Sequence, residues 1–198
     1  MTEAWKKAQE WEKDWHGDFV NSINEELKQV VYAHKMGLTF TPTPKTPYNL
    51  DLEGKSVIDI GGGGYSLFLK CSNFSKATVV DPILPPEWVL DRYEAHNVDF
   101  MNIPAEDFRP DIVDFPVDEI WIYNCLQHTI DPEKIIANAR KVGKLIRIFE
   151  WIETSVNVGH IHTLKAEKLN EWLGGEGKVE NIKEHGCAGL CYYGVFPT

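Results

Sequence analysis

Ser56-Val57-Ile58-Asp59-Ile60-Gly61-Gly62-Gly63-Gly64-Tyr65-Ser66, continued by Leu67-Phe68-Leu69-Lys70-Cys71, decides the fold. A short β-rich apolar run ends at Ile60, four glycines follow, and helical apolar spacing comes next, so the stretch predicts strand, tight loop and helix, the helix over Tyr65–Ser72. Glycines accept positive φ and let a ligand approach the main chain, with the N–H groups of the following helix pointing at it. The dinucleotide fingerprint G-x-G-x-x-G needs a third glycine for close helix packing, and counting from Gly61 that position is Ser66. Asp59 stands at the mouth of the turn, where a carboxylate is a poor neighbour for a pyrophosphate and a good one for an ammonium or sulfonium.

Outward from this turn, strands and helices alternate. Ala77–Val80 reads as a strand ending in Asp81-Pro82, and a carboxylate about 20 residues past a glycine turn sits at the tip of the neighbouring strand, where it can accept both hydroxyls of a ribose. The competing reading is a turn-starting Asp before Pro82. A helix over 85–96, a strand over 98–101, the loop Ile103-Pro104-Ala105-Glu106-Asp107-Phe108 and a strand over 117–123 follow. Asn124-Cys125-Leu126-Gln127-His128 comes directly after that strand. Asp131-Pro132-Glu133 caps a helix to Val142, a strand spans 143–151, and Gly159-His160-Ile161-His162 lies in the loop beyond it. A helix from about 165 to 174 leads to a hairpin of 178–185 and 190–196, joined by 186–189. In open α/β sheets ligands lie beyond the carboxyl ends of the strands, which places Asn124–His128 at the ligand.

Asp59-x-Gly61-x-Gly63 resembles motif I of the class I S-adenosylmethionine-dependent methyltransferases, with Tyr65 standing where that family has a third glycine. The resemblance spans about residues 52–198. It implies an α/β, Rossmann-like methyltransferase fold, with a seven-stranded, mostly parallel sheet and an antiparallel last strand. It also implies S-adenosyl-L-methionine as cofactor, held by Asp59, Gly61, Gly62 and Gly63, and by Asp81 with Pro82. The loop carrying Ala105 and Glu106 resembles the family segment that closes over the adenine, although Glu106 reads equally as a solvated charge. Asn124-Cys125-Leu126-Gln127-His128 resembles motif IV of the small-molecule branch, so the implied acceptor is a small molecule and Asn124 and Cys125 join the cofactor contacts. The expected activity is methyl transfer. A nucleotide-dependent oxidoreductase and a non-catalytic S-adenosylmethionine-binding protein are the alternatives.

Three histidines converge on the acceptor side in this parse: His128, His160 and His162. An imidazole near its ordinary pKa of ~6.5 can take a proton at neutral pH, with Glu150 or Glu153 to orient it. His128 is the first candidate base. A histidine packed beneath the cofactor, or a His-x-His metal pair, are the competing readings. Residues 1–36 have helical spacing through Trp5, Ala8, Trp11 or Glu12, and Trp15, then Phe19, Ile23, Leu27, Val30 and Val31, with a break at His16-Gly17. They read as packing or as a lid. Pro42, Pro44 and Pro47 make 39–52 a stiff connector, so the division is a cap and connector over 1–50 and an α/β domain over 51–198. The 198-residue chain carries a formal net charge of −10, which disfavours nucleic acid and acidic membrane surfaces as partners. The charged opening and four scattered cysteines, Cys71, Cys125, Cys187 and Cys191, point to reduced thiols in a cytoplasmic protein. Cys187-x-x-x-Cys191 has no second pair, so no metal is expected there, and composition leaves the oligomeric state open.

Overall fold

The computed structural model describes residues 2–198; the side chains of His16, Phe19, Val20 and Ser22 lie outside the described residues, and with them the apolar role expected of Phe19. Seven strands form one sheet: β1 (Ser56–Ile60), β2 (Lys76–Val80), β3 (Val98–Met101), β4 (Val117–Tyr123), β5 (Gly143–Trp151), β6 (Lys178–Glu184) and β7 (Cys187–Pro197). Their order is β3-β2-β1-β4-β5-β7-β6, and β7 runs antiparallel to both of its neighbours. This is the expected mostly parallel sheet with an antiparallel last strand. Strand order reverses between β1 and β4, which is where an open α/β sheet leaves a crevice.

Register fixes what meets at that crevice. Ile60 pairs with Val80 and with Ile122, while Tyr123 pairs with Phe149. The glycine loop, Asp81 and Asn124 therefore leave the sheet along one edge, with Glu150 still in strand beside them near the end of β5. Side chains alternate across it with the period of two that a strand imposes. On one face Val57, Trp121, Tyr123 and Phe149 pack with Phe68, Val89 and Tyr93. On the other, Ile58, Ile60, Ile120, Ile122, Ile146 and Ile148 pack under two helices, α4 (Pro132–Val142) through Ile135, Ile136 and Ala139, and α5 (Ala166–Leu173) through Leu169 and Leu173.

Two N-terminal helices, α1 (Glu3–Gly17) and α2 (Phe19–Lys35), meet at the break the spacing predicts, because Asp18 caps the second by accepting from Asn21 N at 2.9 Å. They pack differently. Val31, Tyr32, Ala33 and Met36, at and just beyond the end of α2, belong to the core, with the Tyr32 ring 4.4 Å from that of Phe149. Among the described side chains of α1 only Trp5, Ala8 and Glu12 are buried, and Trp11 and Trp15 stack on each other at 5.2 Å with over a third of each exposed.

Two spans differ from expectation. The helix predicted over Tyr65–Ser72 is a single 3₁₀ turn, Leu67–Lys70, after which Cys71–Ser72 pairs with Leu50–Asp51. The reason is that polar side chains capture the backbone N–H groups at its start, as described below. The hairpin turns at His185 and Gly186, both with positive φ, so Cys187–Gly189 is strand rather than connection; two such residues match the twist of a two-residue hairpin. The helix expected from residue 85, α3, spans Glu87–Ala95.

Candidate active site

The glycine loop is held from below by three hydroxyls. Ser66 Oγ donates to Asp59 Oδ2 at 2.5 Å and accepts from Phe68 N. Tyr123 donates to the same Asp59 oxygen and accepts from Leu67 N at 3.0 Å. Tyr93, from α3, donates to Gly63 O at 2.7 Å and accepts from Ser66 N at 3.0 Å. Those bonds consume the N–H groups expected to face a ligand, which corrects the helix-terminus reading. Asp59 is also not placed at the cavity wall as expected. It is completely buried behind the loop, and burial pushes its pKa to about 7 against the pull of Ser66 and Tyr123. Gly61, at φ +78°, passes so close to the β4 loop that a Cβ there would lie 2.4 Å from Cys125 Cβ, and one at Gly62 would lie 2.5 Å from Asp59 Oδ2.

Above the loop opens a cavity of about 610 Å³. Gly61, Gly62, Gly63, Asp81, Pro82, Ala105, Glu106, Asn124, Cys125, His128 and His160 all line it. Asp81 presents a carboxylate that accepts backbone N–H groups from Gly63 at 3.1 Å and Ile83 at 2.8 Å. Glu106 turns one oxygen to Ile130 N and Asp131 N. Asn124 sits at φ +51°, and its Oδ1 accepts from Gln127 Nε2 at 2.9 Å. Cys125 directs its thiol to Ile60 O at 3.2 Å, and burial holds that thiol well above its ordinary pKa. Trp5, Trp11, Trp15, Gln29 and Tyr32 of the N-terminal helices line the cavity as well, and so does Trp151.

The three histidines separate. His128 and His160 meet edge to face at 4.9 Å. His162 instead points its Nε2 at Ile130 O, 3.1 Å away, and is not part of the cavity wall, because Ile161 N and His162 N both bind Gln127 O and turn the loop there. Neither expected carboxylate orients His128 by contact. Glu150 is buried behind it and accepts from Cys125 N and Leu126 N, both at 3.1 Å, while burial pushes its pKa to about 7. The carboxylate beside His128 is Glu12 of α1, 2.9 Å from Nδ1. Burial opposes charge on His128, but Glu12, the Gly159 carbonyl and the field of Glu150 outweigh it and raise its pKa. Burial and His128 together lower that of His160. Glu12 was not identifiable from sequence as a site residue, since it reads there as one position of an amphipathic stripe; its partner lies over a hundred residues away. Gly159 admits α1 to this position, because a Cβ there would lie 2.7 Å from Trp11 Cζ3. Among the described residues no cluster of His, Cys, Asp or Glu is placed to hold a metal ion, and no helix is long and apolar enough to cross a membrane.

No protein-family model and no curated protein sequence matches the chain. Solved structures do match across nearly its whole length. It is similar to DhpI in complex with S-adenosylhomocysteine, at 13% identity over 98% of this chain and 95% of that one, with a TM-score of 0.57. It is similar to magnesium protoporphyrin IX methyltransferase (ChlM) from Synechocystis with bound S-adenosylmethionine, at 11% identity over 96% and 97%, TM-score 0.57. The N-methyltransferase NodS from Bradyrhizobium japonicum, also in complex with S-adenosylhomocysteine, matches at 14% identity over 72% and 77%, TM-score 0.54. The chain has the Rossmann-like fold of the class I S-adenosylmethionine-dependent methyltransferases.

Proposed function

We propose that this chain binds S-adenosyl-L-methionine and transfers its methyl group to a small-molecule acceptor. The observation that carries the reading is the continuous cavity running from the glycine loop and Asp81 to the cap tryptophans, at the switch in strand order. Its size lies within the ~300–1,000 Å³ of small-molecule sites. The residues present fit the cofactor. Asp81 stands where a diol would be accepted, and Gly61 and Gly63 keep the main chain bare. Pro82, Ala105 and Glu106 would flank the adenosine, and Asn124 and Cys125 would close the cavity floor beneath it.

The cofactor supplies an already activated methyl, so the protein's task is alignment and exclusion of water. Trp5, Trp11, Trp15, Tyr32 and Trp151 make an apolar wall suited to both. Where the acceptor must lose a proton, His160 is the better base: its lowered pKa leaves it uncharged at neutral pH, whereas both ring nitrogens of His128 face protein groups. Calorimetric titration with S-adenosylmethionine, S-adenosylhomocysteine and NAD tests the cofactor, and turnover against a metabolite panel tests the transfer. Binding of NAD alone would make the chain a nucleotide-dependent oxidoreductase instead. S-adenosylmethionine binding without turnover would leave a non-catalytic binding protein.

A further inference from the structure

His128 is clamped on one side and exchangeable on the other. Nδ1 has two acceptors around it, Gly159 O at 2.8 Å and Glu12 Oε1 at 2.9 Å, which keep a hydrogen on that nitrogen in either charge state. The ring therefore gains and loses its second proton at Nε2, which lies 3.2 Å from Gln127 Nε2. The same amide nitrogen donates to Asn124 Oδ1, and Gln127 itself is completely buried with its Oε1 unpartnered. Oε1 therefore makes no hydrogen bond that rotation of the amide would break. Which way such an amide points follows the hydrogen-bond network around it.

Opposite protonation states need opposite orientations. A neutral ring offers a lone pair at Nε2 and accepts from Gln127, which also donates to Asn124. A protonated ring sets N–H against N–H₂, a repulsion removed when Gln127 turns Oε1 toward the ring; Asn124 must then donate through its own amide nitrogen. Since Asn124 lines the cavity, the group it leaves for a ligand changes from donor to acceptor. The charges facing His128 are Glu12 from α1 and Glu150 from β5, with His160 against its ring. We infer that Glu12, His128, Gln127 and Asn124 form a relay through which a histidine clamped by the first helix sets the hydrogen-bond polarity of the cavity floor. Glu12 and Gln127 are positioning residues in it. The relay stands on geometry alone, and only its effect on a ligand rests on the S-adenosylmethionine reading.

The test is ¹⁵N NMR of the full chain without ligand across the His128 titration. Wild type is expected to titrate at Nε2 with Nδ1 protonated throughout, and the side-chain amide signals of Gln127 and Asn124 are expected to move with the same midpoint. Glu12→Gln should lower that midpoint by about one unit, the scale of a lost opposite charge nearby. Gln127→Met should leave the ring titrating and freeze the Asn124 signal. Titration at Nδ1, or an Asn124 amide that ignores the ring in wild type, overturns the relay. With S-adenosylhomocysteine as probe, affinity either side of the midpoint should differ about threefold to tenfold in wild type and not in Gln127→Met, the scale of one altered hydrogen bond. Binding with no pH dependence in wild type overturns the relay's reach to the ligand. Absence of binding at every pH overturns the reading of the cavity instead, and the ligand-free spectra still decide the relay.

Discussion

Gly61 has no room for a methyl group, and the obstacle is protein rather than ligand. A Cβ there meets Cys125 Cβ at 2.4 Å, and its φ of +78° is strained for any L side chain. Gly61→Ala should therefore destabilise the fold by ~1–3 kcal/mol, the range for overpacking, read as a lower urea midpoint. An unchanged midpoint would mean that the glycine loop and the β4 loop are not in contact. Asp81→Ala acts on the ligand: it removes a charged acceptor and should weaken S-adenosylmethionine binding by ~1.5–3 kcal/mol. Unchanged affinity in a folded variant removes Asp81 from the site. Glu150 makes the pH prediction. Its folded pKa of about 7 lies above its ordinary value of 4.5, so between those limits the unfolded chain releases a proton the folded chain keeps. Stability falls as pH rises through that window, and Asp59, at about 7 against 3.8, adds to the fall. Glu150→Gln keeps an oxygen for Cys125 N and Leu126 N but cannot titrate, so its urea midpoint should fall less steeply than wild type from pH 5 to 7.5. Equal slopes would place the titration elsewhere.

At the scale of elements the two N-terminal helices part company. Removing both would strip Val31, Tyr32, Ala33 and Met36 from the core, whereas removing residues 1–17 takes away, among the described buried side chains, Trp5, Ala8 and Glu12 and leaves the Asp18 cap of α2 in place. The shortened chain should fold cooperatively and, once an acceptor is known, show a KM for it raised about tenfold, because a lid aligns substrate and excludes water. Outright unfolding would show that α1 serves packing alone. The strands were legible because a parallel strand buried on both faces is a bounded apolar run: β4 and β5 span the ranges their sequences predict, 117–123 and 143–151. The break between α1 and α2 was legible at His16-Gly17, and the structure adds the Asp18 cap just after it. What local pattern does not carry is the outcome of competition at a distance. Leu67–Lys70 has helical spacing, yet Tyr93 and Tyr123, from elements far along the chain, take the N–H groups a helix start would leave open. Among the residues that line the cavity, Asp81 and Asn124 were legible from their place at strand ends, while Glu12 became visible only when α1 was seen to lie against His128.

For the whole molecule the deciding quantity is charge. The chain carries −10 at neutral pH, and a cleft walled by low-dielectric protein focuses such a field on whatever approaches. S-adenosylmethionine, with a sulfonium, an ammonium and a carboxylate, has a net charge of +1; loss of the methyl leaves S-adenosylhomocysteine neutral. On the methyltransferase reading proposed above, the global field should draw in S-adenosylmethionine and be indifferent to S-adenosylhomocysteine. Stopped-flow association measured between ~20 and ~300 mM salt, where the screening length falls from roughly 20 to 6 Å, should show the S-adenosylmethionine on-rate dropping by about twofold or more. The on-rate for S-adenosylhomocysteine should stay level over the same range. Equal salt dependence for the two ligands would show that the surface charge is solvated away from the cavity mouth and has no part in cofactor capture.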